Sequence, residues 1–161
     1  MKIQIYSCGG TIDKVYFDAN SDFEIGSPQI NAVFDDARVG FQFNVESLMR
    51  KDSLDMTDED RALVRSKILD DQHQHFLVTH GTDTMTKTAQ CLTEIEDKTI
   101  VFTGSMVPAR FRVTDAVFNI GCAVGALQSK PPGVYIAMNG QVFIASKVQK
   151  NRAEQRFELI E

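Results

Sequence analysis

The chain has no CxxC pair, no GxGxxG turn, no basic excess and no apolar run approaching the ~18 residues of a membrane span. Each absence removes a class. Three cysteines, Cys8, Cys91 and Cys122, are odd in number and widely spaced, so neither a disulfide framework nor a zinc knuckle is expected, and a reducing cytoplasm is. The net charge of -5 offers no face to nucleic acid or to an acidic membrane. The opening residues lack the basic start, apolar centre and small-residue cleavage site of a secretory leader, so the chain reads as neither secreted nor membrane-spanning. Without a dinucleotide fingerprint no Rossmann cofactor is expected. Repeats, low-complexity tracts and linkers are missing too.

What is there fits one domain over residues 1–161. A chain of this length buries roughly 68–70% of its unfolded surface, and 43% hydrophobic with 24% charged residues is ordinary for a globular protein. Ile3 to Ser7, Phe41 to Glu46, Phe76 to Thr79, Thr99 to Phe102 and Val134 to Met138 read as strands. Helices are expected after Ser27-Pro28 to about Arg38, after Thr57 as N-cap with acids in the first turn, from Thr84 to about Ile95 and from Val113 to Leu127. This alternation predicts an α/β fold with a mostly parallel sheet and helices on both faces. Asn139-Gly140 signals a hairpin into Val142 to Ile144. Asp13 to Ile25 suits a mobile hairpin or lid, and Gln149 to Glu161 a short helix or a docking tail.

The stretch that organises this reading is Thr79-His80-Gly81-Thr82-Asp83-Thr84-Met85, hydroxyls, imidazole and carboxylate crowded behind a short apolar strand. Cys8-Gly9-Gly10-Thr11-Ile12 follows the first strand in the same way. In an open α/β sheet ligands sit outside the carboxyl ends of the strands, so the two loops are expected side by side, with one threonine a nucleophile. A threonine hydroxyl needs a base and oxyanion donors. Gly10 and neighbouring amides are the candidate donors, while Tyr16 and Lys150 are the candidates for moving protons. Duller explanations stand beside these: a Gly-Gly-Thr turn is often only a turn, His80 caps a strand end, His73 and His75 alternate across a surface, Asp83 serves a helix dipole, and Lys147, Lys150 and Arg152 form a solvated cationic face.

Gly9 to Ile12 (GGTI) and Thr79 to Met85 (THGTDTM) closely resemble the two signatures of bacterial-type L-asparaginases, which are threonine amidohydrolases. Asp52 to Met56 is similar to that family's serine-containing substrate loop, Thr103-Gly104-Ser105-Met106 to its TG-(small)-M strand end, and Val148-Gln149-Lys150 to its V-T-K motif. The resemblance covers nearly the whole chain. It implies the N-terminal domain of the asparaginase fold in a short, single-domain branch lacking the C-terminal domain. Thr11 is then the acylated nucleophile, Tyr16 the lid tyrosine that activates it, and Thr82, Asp83 and Lys150 the second polar group. It further implies that Ser53 holds the substrate carboxylate and Asp83 its ammonium, that no metal or organic cofactor takes part, and that the protein is a homo-oligomer. The implied reaction turns asparagine into aspartate and ammonia, with a glutaminase or broader amidase, or a non-catalytic amino-acid sensor or partner subunit, as alternatives. Leu54 replaces a common Gln or Ser, Val107 a common Arg, and Cys8 a usual Thr, where thiol modification is expected to block the site.

Overall fold

Central strands whose successive residues are nearly all buried need cover on two faces. In the computed structural model, which describes residues 1–17 and 22–160, β1 (Lys2–Gly9) lies between β4 (Gln42–Lys51) and β5 (His75–Thr79), both parallel to it. Next come β6 (Thr99–Thr103) and β7 (Gly133–Met138), also parallel, and β8 (Gln141–Ile144), antiparallel to β7. The six-stranded order β4-β1-β5-β6-β7-β8 is the mostly parallel α/β sheet expected.

Period-two alternation divides the core. Ile3, Ile5, Leu77, Val101 and Ala137 pack with Ile30 and Phe34 of α1 (Ile30–Ala37) and with Ala116, Ile120, Ala123 and Leu127 of α4 (Ala116–Ser129). On the other face Tyr6, Phe76, Val78, Phe102 and Ile136 pack with Val64 and Ile68 of α2 (Asp58–Asp70) and with Met85 and Ala89 of α3 (Met85–Gln90). Helices therefore cover both faces, which is why the central strands read as near-continuous apolar runs.

Local chemistry sets most element ends. Thr57 caps α2 as expected, in a reciprocal capping box with Asp60. The start of α1 differs from the Ser27-Pro28 expectation. Its N-cap is Gln29, whose N–H donates to Asp13 Oδ1 at 2.9 Å, so a carboxylate from a distant turn satisfies the helix end. α3 stops at Gln90, five residues early, because Leu92 N and Ile95 N bond three residues back, to Ala89 and Leu92, and tighten the chain into turns.

The lid segment forms an antiparallel hairpin of β2 (Lys14–Phe17) and β3 (Asp22–Ile25); positions 18–21 lie outside the described residues. The carboxyl-terminal stretch is not a helix. It forms a second antiparallel hairpin, β9 (Val148–Asn151) with β10 (Arg156–Leu159). Phe157 is buried in the α2/α3-side core and its N–H donates to Asn139 Oδ1 at 2.8 Å, which ties this hairpin to the Asn139-Gly140 turn. Tertiary burial of one aromatic overrides what the charged composition suggested.

Candidate functional site

Strand order reverses at β1: the chain leaves β1 for β4 on one side and returns to β5 on the other. The crevice outside the carboxyl ends at such a switch point is where open α/β sheets bind ligands. Here it is shaped by backbone contact. Gly10 has φ +86°, and a Cβ built on it would collide with the Gly81 backbone. A Cβ on Gly81 would fall 2.7 Å from Ser53 Cβ. The loops after β1, β4 and β5 thus touch through positions where only hydrogen fits.

This contact brings Thr11 and Thr82 onto the wall of one cleft of about 250 Å³, together with Asp83, Met106 and Lys150. Lys150 arrives from β9, on the hairpin that Phe157 anchors. Its ammonium donates to Thr82 Oγ1 at 2.8 Å and to Asp83 Oδ1 at 2.9 Å. Arg152 approaches the same Oδ1 through Nε at 3.5 Å. With its oxygen accepting from Lys150, the Thr82 hydroxyl directs its proton to the weak acceptor Met106 Sδ, 3.6 Å away. A ligand acceptor entering the cleft competes easily for that proton.

Ser53 and Tyr16 are placed elsewhere. Ser53 is buried behind Gly81, where its Oγ accepts from Thr84 N at 3.3 Å and its carbonyl accepts from Thr84 Oγ1 at 2.7 Å. Tyr16 is half exposed on β2 and packs edge-on against Phe23, ring centroids 5.6 Å apart, and does not line the cleft that Thr11 shares with Lys150. Neither joins the Thr11–Thr82–Asp83–Lys150 group in this arrangement.

Two buried titratable groups hold the site loops from behind. The Asp13 carboxylate accepts from Ser7 Oγ at 2.7 Å and from Gln29 N, pinning the turn that presents Thr11. Burial pushes Asp13 up to about 6, only partly offset by these hydrogen bonds and by Arg50. His80 is fully buried at the base of the second loop; Nδ1 lies 2.7 Å from the Gly81 carbonyl and Nε2 2.8 Å from Thr88 Oγ1. The carbonyl requires the proton on Nδ1, so Nε2 accepts from Thr88. Burial lowers His80 to about 4, with the Arg61 charge acting in the same direction. Among the described residues no group of three or more His, Cys, Asp or Glu is placed to hold a metal ion.

Sequence reading passed over three contributors. Arg152 belongs to the cleft rather than to a purely solvated cationic face. Met106 supplies the Thr82 contact, and Asp115 fixes its loop by accepting from Met106 N at 2.9 Å and Val107 N at 3.0 Å. The signal for Asp115 was an acid before the apolar α4. Cys8 departs from expectation: its thiol is buried and burial pushes it up to about 12, so reagents do not reach it from the cleft.

A mostly parallel, doubly covered sheet with hydroxyls, a lysine and a carboxylate gathered in a cleft at its switch point defines an α/β fold with a polar cleft where such sheets hold their ligands. The chain belongs to the asparaginase family: the model of the asparaginase N-terminal domain matches residues 2–159. An L-asparaginase of Thermococcus kodakarensis is 24% identical over 93% of this chain and 48% of its own length. A probable periplasmic L-asparaginase of Haemophilus influenzae is 32% identical over 92% of the chain and 46% of its own length. A glutaminase-asparaginase of Acinetobacter glutaminasificans is 33% identical over 76% and 38% respectively. In structure, the thermostable L-asparaginase from Thermococcus kodakarensis superposes with a TM-score of 0.86 at 24% identity, covering 99% of this chain and 51% of that one. The probable cytoplasmic L-asparaginase from Campylobacter jejuni gives 0.81 at 26%, covering 98% and 51%. The chain thus spans about half the length of the relatives it matches.

Proposed function

We propose that this chain carries the nucleophile and proton-handling groups of an amidohydrolase that converts L-asparagine to L-aspartate and ammonia. The observation that supports it most is the Gly10–Gly81 backbone contact, which leaves Thr11 and Thr82 on one small cleft with Lys150 hydrogen-bonded to Thr82. In this reading Thr11 Oγ attacks the side-chain carbonyl and its proton passes to the departing nitrogen. Ammonia leaves, Thr11 is transiently acylated, and water frees the acid. Thr82, oriented by Lys150, relays the proton of the attacking water in the step that frees the acid, and Asp83 receives the substrate ammonium in competition with Lys150 and Arg152. Ser53 and Tyr16 keep the parts the resemblance implies, carboxylate holder and lid tyrosine, and Ser53→Ala and Tyr16→Phe test them as separate effects on KM and kcat. No metal or organic cofactor enters the reading.

Glutamine is the second substrate to try, because a relative 33% identical is a glutaminase-asparaginase and one methylene changes selection by only ~1–3 kcal/mol. Residues 1–161 act as one domain in this proposal, within a cytoplasmic homo-oligomer. Ammonia release from asparagine and glutamine by wild type and Thr11→Val tests it. Wild-type release lost in the variant supports the assignment, and release that survives removes Thr11 from its role. Amino-acid binding without turnover makes the chain a sensor or partner subunit.

A further inference from the structure

Thr11 faces more than the polar cleft. Together with Met106 it also lines a second recess of about 440 Å³ whose wall carries Phe23, Pro108 and Phe111. The two recesses share the candidate nucleophile and one thioether, and differ in chemistry. The first presents Asp83, Lys150 and Arg152, charges of both signs suited to an amino-acid head. The second is largely apolar, its Lys14 and Asp22 offsetting each other in charge.

The aromatic wall is built rather than incidental. Phe23 stands on the lid hairpin and Phe111 on the loop after β6, with ring centroids 5.5 Å apart. Tyr16 extends the row behind Phe23. The Phe111 loop is fixed to the Thr11 turn by Ala109 N donating to the Ile12 carbonyl at 3.1 Å, and Asp115 holds its beginning. Phe23 and Phe111 are each 44% exposed. Clustered exposed aromatics beside a polar site mark a surface that something covers.

We infer that the apolar recess takes a flat apolar group on the nitrogen of the scissile amide, so that the chain accepts N-aryl side-chain amides of an amino dicarboxylic acid. The inference rests on the amide-hydrolase reading and extends it to a substrate class. The acyl half sits in the polar cleft, its carbonyl carbon at Thr11, and the substituent on nitrogen passes over Met106 toward Phe23 and Phe111. The Thr11 oxygen forms the new bond to carbon, the carbon–nitrogen bond breaks, and the hydroxyl proton ends on nitrogen, so an arylamine leaves. Water then cleaves the ester and restores the hydroxyl. No redox partner is required.

The test uses the β-anilide of L-aspartate as probe, with asparagine as reference. Titration calorimetry on Thr11→Val reads binding apart from turnover, and wild type is assayed for aniline and ammonia release. The expected result is anilide binding about tenfold or more tighter than asparagine, with Phe111→Ser bringing the two within about threefold, and Thr11-dependent aniline release. Asparagine bound as tightly as the anilide in both backgrounds overturns this inference and leaves the hydrolase reading standing. Neither compound bound overturns both. Loss of a dimer in Phe111→Ser, with no change in anilide selection, assigns the aromatic wall to contact between copies and overturns the inference as well.

Discussion

Asp13 and His80 sit beneath the two loops that meet at Gly10 and Gly81, and they titrate in opposite senses over the same pH range. Asp13 ionises at 3.8 in a free chain and about 6 in the fold. Between those values the folded state holds a proton that the unfolded state has lost, so stability falls as pH rises. His80 protonates at 6.5 in a free chain and about 4 in the fold. Between those values the unfolded state holds the extra proton, so stability rises with pH. Each slope is about 1.4 kcal/mol per pH unit, and each accumulates about 3 kcal/mol across its window. From pH 4.5 to 5.5 the two cancel, and the stability of the wild type is nearly level. Asp60, held below the usual carboxylate range by its hydrogen bonds from Lys51, changes charge beneath this window. Replacing His80 with Gln keeps an acceptor for Thr88 and exposes the Asp13 slope, so stability drops by about 1 kcal/mol from pH 4.5 to 5.5. Asp13→Asn keeps an acceptor for Gln29 N and gives the reverse slope, and the double variant is level again. Poorer packing around either new side chain shifts its curve vertically without tilting it. Urea unfolding at half-unit pH steps measures this; single variants as level as wild type refute the compensation.

Three other outcomes follow from named interactions. Gly81→Ala forces a methyl against Ser53 Cβ and Oγ, so the urea midpoint falls by the equivalent of about 1–3 kcal/mol and ammonia release falls with it. Lys150→Met removes the donor to Thr82 and Asp83, and kcat on asparagine falls about 10²–10⁴-fold while Asp83 keeps Arg152. Phe157→Ala empties a buried site under the hairpin that carries Lys150, costing about 3–5 kcal/mol in chemical unfolding and lowering activity more than the lost stability explains.

Much of the architecture was legible because its causes are local. Ile5, Val78 and Phe102 lie in short segments rich in β-formers and bounded by turn residues, which read as strands. Thr57 followed by three acids reads as a helix start, and Gly10-Thr11 and Gly81-Thr82 read as loops at strand ends. Helices on both faces of a parallel sheet followed from the order of such segments. Element ends fixed by distant partners were not legible. Gln29 begins α1 because Asp13 reaches it from sixteen residues away, and nothing near Ser27-Pro28 records that.

From sequence alone came the fold class, the two glycine-threonine loops and the family they resemble, since these depend on residue type and spacing along the chain. Tertiary structure alone decided that Arg152 joins Lys150 at Asp83, that Ser53 lies behind Gly81, that Tyr16 rests on Phe23, and that the last stretch is a hairpin. The difference is physical. Burial pattern and backbone freedom are properties of neighbouring residues, whereas a side chain's partner depends on which distant segment the packed core brings alongside it, as Phe157 does for Lys150.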